Sequence, residues 1–558
     1  MMRLHHASPA KGYDALALQA AERARARSLL DSLTEARANI REGVAPALLE
    51  RERTLQQKLD AIAERQARLA NDNHGDEEAA ALKSETEKLL TEYQEVETEI
   101  RASSPRYSAL IQPLPLSLKE IQQRVIDSAD TLLLEYALGD EKSYLWAVTT
   151  SSIQSYELPP RKAIETATRN VYQLLTERNK DFKFEKPAQR SVRIAKADAD
   201  YVSTSSVLSQ MLLGPVASQL EKKKRLLIVG KGALNYLPFA ALPEPMNQGS
   251  GVGNQGSETD NGSRPVAPGP QRPLVVEHEI VSLPSASTLA VLRRELMGRA
   301  APPKTLAVIA DPVFEKEDER VLGIKTGKRT NRPNNRSSKE RKNANSLAEP
   351  LVLRSAPQSE PDEVKEIHRL PFTRREADEI LSMVPVTDRL KAVDFEANRA
   401  IATSPALGQY RYVHFATHGF LNTAHPELSG IVLSLVNRQG AEQNGFLWAH
   451  EIYNLRLPVE MVVLSGCRTG LGKEIKGEGL VGLTRGFMYA GSARVLVSLW
   501  DISDEASAEL MAHLYKAMLK KHMSPAAALR TAQIEIMKEK RWEAPYYWAA
   551  FVLQGEPR

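Results

Sequence analysis

Two stretches decide how this chain is read: Tyr412-Val413-His414-Phe415-Ala416-Thr417-His418-Gly419 and Met461-Val462-Val463-Leu464-Ser465-Gly466-Cys467-Arg468-Thr469-Gly470. Each is an apolar run ending in a chemically reactive side chain next to glycine. Short apolar runs bounded by turn residues suit strands buried in a sheet. From 370 onward, runs at 412–415, 431–435, 461–465, 495–500 and 548–553 read as strands. They alternate with helical periodicities at 374–383, 395–403, 503–519 and 525–540. That alternation predicts an α/β sheet with helices on both faces.

Working outward, strands are also expected at 225–230, 278–283 and 305–310. Upstream, 131–138, 143–149 and 153–158 are short, rich in aliphatic and aromatic residues, and separated by turns such as Gly139-Asp140-Glu141-Lys142. They predict a small antiparallel meander, followed by a helix carrying Ile164, Val171, Leu174 and Leu175. The first 110 residues read as helix. Gly12 to Leu33 is rich in strong helix formers. Beyond it, Leu55, Leu59, Ile62 and Leu69 form one stripe, and Leu82, Leu89, Tyr93, Val96 and Ile100 a second. Steps of three, four and seven put each stripe on one helix face. The polar turn at 71–76 between them predicts an antiparallel helical hairpin, either a packed arm or a coiled-coil dimerisation element. Residues 246–272 and 315–370 are expected as disordered insertions on composition.

The chain has 558 residues, enough for roughly three to four domains. Its 42% hydrophobic and 26% charged content is that of a globular protein. No run approaches the roughly 18 apolar residues of a membrane span, and the start, Met1-Met2-Arg3-Leu4-His5-His6, has no apolar signal core. These features point to the cytoplasm. The single cysteine, Cys467, excludes an intrachain disulfide and a multi-cysteine zinc site. Net charge is +4, but Lys325, Lys328, Arg329, Arg332, Arg336, Lys339, Arg341 and Lys342 face Glu340 alone, a local +7. The rest is slightly acidic, so no nucleic-acid-binding face is implied for the whole chain. That basic segment could recruit an acidic partner, and an exposed basic loop is easily cut.

In an open α/β sheet, sites form at the carboxyl ends of strands. If the two quoted strands are neighbours, His418 and Cys467 meet at one edge. A thiolate is the attacking species, and a free thiol near pKa 8.5 is only a few per cent ionised at neutral pH. A nearby imidazolium stabilises the thiolate and can protonate a leaving amine. The amides of Gly419 and Cys467 are candidate oxyanion donors. A lone cysteine at a strand end is most often packing. The paired strand-end context and the spacing of 49 residues turn the reading toward chemistry. His414 reads as structural, and His425 and His450 lack a matching context.

These segments, His418-Gly419 and Ser465-Gly466-Cys467-Arg468-Thr469-Gly470, resemble the CHAT domain, a caspase-like peptidase domain commonly found after tetratricopeptide repeats. Further matching blocks are Gly477-Glu478-Gly479-Leu480-Val481-Gly482-Leu483, Phe487-Met488-Tyr489-Ala490-Gly491-Ser492, Val497-Ser498-Leu499-Trp500-Asp501 and the ending Tyr547-Trp548-Ala549-Ala550-Phe551-Val552-Leu553-Gln554-Gly555. Asn235-Tyr236-Leu237-Pro238-Phe239-Ala240-Ala241-Leu242 is similar to the family's opening segment. The resemblance implies a caspase-like sheet flanked by helices, here preceded by the helical hairpin arm and the meander. It implies a dyad of His418 and Cys467, and caspases carry their histidine about 50 residues before the cysteine. The expected organisation is 1–110 helical (the end of a repeat array plus the hairpin), 111–220 small α+β, and 221–558 the CHAT domain. The segment from Tyr13 to Leu30 resembles the helix that closes a repeat array, yet no 34-residue repeat is visible upstream.

A preference for cutting after Arg or Lys needs a carboxylate in the pocket. Asp501 and Asp504 are candidates for substrate binding, with helix capping the alternative for Asp501. Gly477, Gly479 and Gly482 match a dinucleotide fingerprint, but they follow a polar loop rather than a strand. Gly466 to Lys473 has the wrong spacing for a phosphate loop. The reading is a cysteine endopeptidase that needs no metal or organic cofactor. It takes a protein or peptide substrate and a regulatory protein partner at the helical N-terminal region, with no membrane and no nucleic acid. The alternatives are a non-catalytic scaffold and a basic-loop nucleic-acid adaptor.

Overall fold

The computed structural model describes residues 1–35, 44–52, scattered positions between 54 and 103, and then 115–180, 182, 184–246, 272–321, 367, 369–420, 429–468 and 479–558. Among these, thirteen strands form one mixed sheet. They are β1 (Thr131–Ala137), β2 (Ser143–Val148), β3 (Ile153–Leu158), β4 (Arg225–Val229), β5 (Glu279–Ser282), β6 (Lys304–Pro312) and β7 (Arg389–Asp394). The remainder are β8 (Tyr410–Phe420), β9 (Gly430–Val432), β10 (Phe446–Trp448), β11 (Met461–Arg468), β12 (Arg494–Ser498) and β13 (Phe551–Gly555).

Two parallel sets meet back to back. One set is β7, β6, β8, β11 and β12, each parallel to the next. The other is β13, β5, β4 and β1. They join through the antiparallel β12–β13 pair. Parallel strands buried on both faces read as continuous apolar runs, and β12 and most of β4 are buried throughout. The meander β1–β2–β3 is antiparallel as expected. It is not a separate small unit, because β1 pairs in parallel with β4 over Thr131 to Glu135 and continues the main sheet.

Among the described residues, the helices longer than a single turn are α1 (Met2–Ala7), α2 (Tyr13–Glu35), α3 (Leu118–Arg124), α4 (Arg161–Leu175), α5 (Pro187–Leu213), α6 (Ala286–Leu296), α7 (Phe372–Ser382), α8 (Gly479–Tyr489), α9 (Asp504–Lys521) and α10 (Pro525–Lys538). Sequence periodicity located α7, α9 and α10 within two residues at every end. Three expectations need correction. The helix at 395–403 is a single turn, Arg399–Ala402, and β7 precedes it. The strand at 548–553 begins only at Phe551, because Pro545–Trp548 forms a helical turn. The helix expected from 503 begins at Asp504, so Ser503 rather than Asp501 occupies its N-cap position.

One apolar core runs through the sheet and its helices, with Trp500, Trp548, Tyr136, Tyr515, Phe415 and Phe487 fully buried. In the arm, Leu55 packs with Leu89, Val96 and Ile100 in a separate cluster bordered by Tyr93. These are members of both predicted stripes. Leu59, Ile62, Leu69, Leu82 and the 71–76 turn lie outside the described residues, as do most of the two expected insertions.

Candidate active site

β8 lies at the centre of the first parallel set, with β6 on one side and β11 on the other. All three run in the same direction, so their carboxyl ends share one edge. The ladder pairs Phe415 with Leu464, then His418 with Gly466, Cys467 with Gly419 and Arg468 with Phe420. Between the first two pairs β8 advances three residues while β11 advances two. Such an irregularity re-aims side chains and is common beside active sites. The register therefore sets the backbone of Cys467 one residue along from the partner of His418. The two candidate oxyanion residues, Gly419 and Cys467, face each other as a pair.

Gly466 is required by this approach. A Cβ there would stand 2.4 Å from the Thr417 carbonyl oxygen and 2.8 Å from its carbon. Thr417 is tied in turn, its hydroxyl donating to the Val432 carbonyl. His418 is buried, and its ring lies 5.4 Å from that of Phe314 at 48°. Phe314 sits just past the carboxyl end of β6, the strand flanking β8. The sequence reading missed it, although the signal used for the cysteine, a side chain just beyond a buried strand, was present there.

Asp501 and Asp504 follow β12, the neighbour of β11, on the same edge. Asp504 Oδ2 accepts a hydrogen bond from the Phe372 amide at 2.9 Å, so this carboxylate caps the start of α7. Burial, reinforced by Glu376, Asp501 and Asp311, pushes the Asp504 carboxyl up to about 6 against the opposing Phe372 hydrogen bond. The Asp501 loop is braced from the other half of the sheet. The Tyr546 hydroxyl lies 3.0 Å from the Asp501 carbonyl and 2.6 Å from Asn179 Oδ1. The Tyr172 hydroxyl donates to the Leu499 carbonyl at 2.9 Å.

Nearby, Asp311 is buried beneath Arg320, Arg369 and Arg374, and Arg320 and Arg374 also reach Asp394. His414 is likewise buried, against Glu376, Ser465 and Tyr515. His425 lies outside the described residues. Among the described residues no group of three or more His, Cys, Asp or Glu side chains is placed to hold a metal ion. No helix among them is long and apolar enough to cross a membrane.

An α/β sheet flanked by helices, following a helical N-terminal region, with histidine and cysteine at adjacent strand ends, is the class this structure defines. The chain belongs to the CHAT domain family, whose pattern matches residues 202–556. It is 34% identical over 113 residues to human tetratricopeptide repeat protein 28, and 36% identical over 109 residues to the mouse protein of that name. Each match takes in 20% of this chain and only 4% of the relative's length. Among solved structures, a Saccharomyces cerevisiae separase–securin complex aligns with a TM-score of 0.45 at 8% identity, over 87% of this chain and 34% of the other. The Arg-specific cysteine proteinase gingipain R aligns with a TM-score of 0.34 at 10% identity, over 62% and 68%.

Proposed function

We propose that this protein is a cysteine endopeptidase in which Cys467 is the nucleophile and His418 the general acid and base. The observation that carries this reading is the β8–β11 register, which sets both positions at one sheet edge on adjacent parallel strands. The Cys467 thiolate attacks the scissile carbonyl, and the amides of Gly419 and Cys467 receive the oxyanion. The His418 imidazolium then protonates the departing amine. Water, deprotonated by the same imidazole, hydrolyses the acyl-enzyme and restores the thiol. Phe314 limits the tilt of the imidazole.

Asp501 and Asp504 give the neighbouring pocket acidic character and favour Arg or Lys before the cut. Because Asp504 titrates near 6, the preference for a basic side chain weakens below that pH. Residues 1–110 form the region through which a regulatory protein acts, and the two relatives are named for tetratricopeptide repeats.

The test is incubation of wild type, Cys467→Ala and His418→Ala with a mixed peptide library, read by mass spectrometry. Cuts are expected from wild type alone, with a rate loss of about 100-fold or more in each variant. Cleavage retained by folded Cys467→Ala sinks the assignment. A wild type that makes no cuts under any partner favours the scaffold reading.

A further inference from the structure

His414 stands four residues before His418 on β8, and Ser465 two residues before Cys467 on β11. Their side chains meet beneath the proposed site. His414 Nε2 lies 2.7 Å from Glu376 Oε1 and 3.1 Å from Ser465 Oγ, and its Nδ1 lies 3.1 Å from the Tyr515 hydroxyl. Glu376 comes from α7 and Tyr515 from α9. All four residues are at most 2% exposed. A second bond joins the same place: the Ser507 hydroxyl on α9 donates to the Ser465 carbonyl at 3.3 Å. The hydrogen bonds thus tie β8, β11 and α9 together just before β8 gains its additional residue, and Glu376 brings α7 within ion-pair distance of the same imidazole.

Buried polar groups are costly unless satisfied, and a core position on a parallel strand is more simply filled by an aliphatic side chain. Val413 and Val463, beside this cluster, show that solution. We propose that His414, with Glu376, Ser465 and Tyr515, is a positioning residue for the His418–Cys467 pair. It fixes the β8–β11 register below the irregularity, and so fixes where the last residues of both strands emerge. A misplacement of about 1 Å at a reacting pair can cost 100-fold in rate. The groups facing the imidazole are Glu376 from α7, Tyr515 from α9 and Ser465 from β11, with Tyr412 against Tyr515 in an edge contact at 6.3 Å. Burial, with Glu376 and Tyr412, holds the Tyr515 phenol well above its ordinary range, so it stays protonated.

This inference rests on the proposed dyad, and the single cysteine allows the two to be tested apart. Iodoacetamide alkylation rates against pH would be measured on the full chain for wild type, His418→Ala, His414→Gln, Glu376→Gln and Tyr515→Phe, with circular dichroism on each. Wild type is expected to show a thiol titrating below the ordinary 8.5 or so, and His418→Ala to return it there. His414→Gln is expected to slow alkylation at neutral pH about tenfold and move the profile toward an ordinary thiol, with secondary structure retained. Tyr515→Phe, which removes one hydroxyl, moves it the same way by less and decides the matter should His414→Gln fail to fold. A shifted His418→Ala profile beside wild-type profiles in the folded network variants overturns the positioning role alone. An ordinary wild-type thiol that His418→Ala leaves unchanged overturns the dyad, and this role with it.

Discussion

At the scale of single residues, Gly466 and Asp504 make opposite demands. Gly466 tolerates no side chain, since the clashing atoms belong to the Thr417 backbone and cannot swing away. Gly466→Ala must part β8 from β11 and is expected to cost about 1–3 kcal/mol in a denaturant titration, with thiol reactivity lost as well. An unchanged midpoint and reactivity contradict the close approach. Asp504 sets a pH dependence. Its folded carboxyl titrates near 6, above the 3.8 of the free group, so the folded state holds a proton that the unfolded chain has released between those values. Stability from this group therefore falls as pH rises from about 4 to 6. Asp504→Asn keeps an oxygen for the Phe372 amide and removes the charge. Its melting temperature relative to wild type should be higher at pH 7 than at pH 4.5, and an equal difference at both contradicts the shift. The strand-end positions of Cys467 and His418 were legible in the sequence because each ends an apolar run. The contacts of Phe314, Glu376 and Tyr515 were not, because their partners lie on other elements, about 100 residues away for Phe314 and Tyr515.

At the scale of elements, legibility followed the burial pattern. α9 and α10 bury long apolar faces and were located from periodicity. α5 was missed, because its buried face uses Ala197, Ser205 and Ser209 among the leucines and leaves no continuous apolar stripe. β7 was missed because it is an outer strand with one buried residue, Ala392. Nor does sequence reveal how α2 docks. Its Glu22, fully buried, accepts from the Ala286 amide at 3.1 Å, the Ser287 amide at 2.7 Å and the Ser287 hydroxyl, and so caps α6. One turn on, Arg25 donates to Glu135 at 3.2 Å and to the Gly230 carbonyl at 2.7 Å. Burial and Glu22 push the Glu135 carboxyl well up, with Arg25 opposing. Removing Glu22 leaves buried amides without acceptors, at about 1–3 kcal/mol each. Glu22→Ala should lower the melting temperature more than Glu22→Gln, which keeps an acceptor; equal losses would show that the capping bonds do not stabilise this contact.

At the scale of the whole molecule, chain order and spatial order are interleaved. β13, the last strand, lies between β12 and β5 and joins the two parallel sets. β6 lies between β7 and β8, both of which follow it across the basic segment. This has a consequence for a chain cut between 321 and 367. The part before the cut contributes β6 and Arg320, and the part after it contributes β7, β8, Arg369, Arg374 and Asp394. Three parallel ladders then cross the break, β6–β7, β6–β8 and β5–β13. So do ion pairs from Arg320 to Asp394 at 2.8 Å and from Arg369 to Asp311 at 2.8 Å. Cooperative ladders buried on both faces are not undone by loss of one connection. A site for a sequence-specific protease placed between 321 and 367, once cut, should therefore give two chains in a denaturing gel and one species of unchanged size in native size-exclusion chromatography. Separation without denaturant would contradict the interleaved order of β6, β7 and β8. If the cut form remains whole, the thiol of Cys467 should keep its reactivity, because neither β8 nor β11 has been touched.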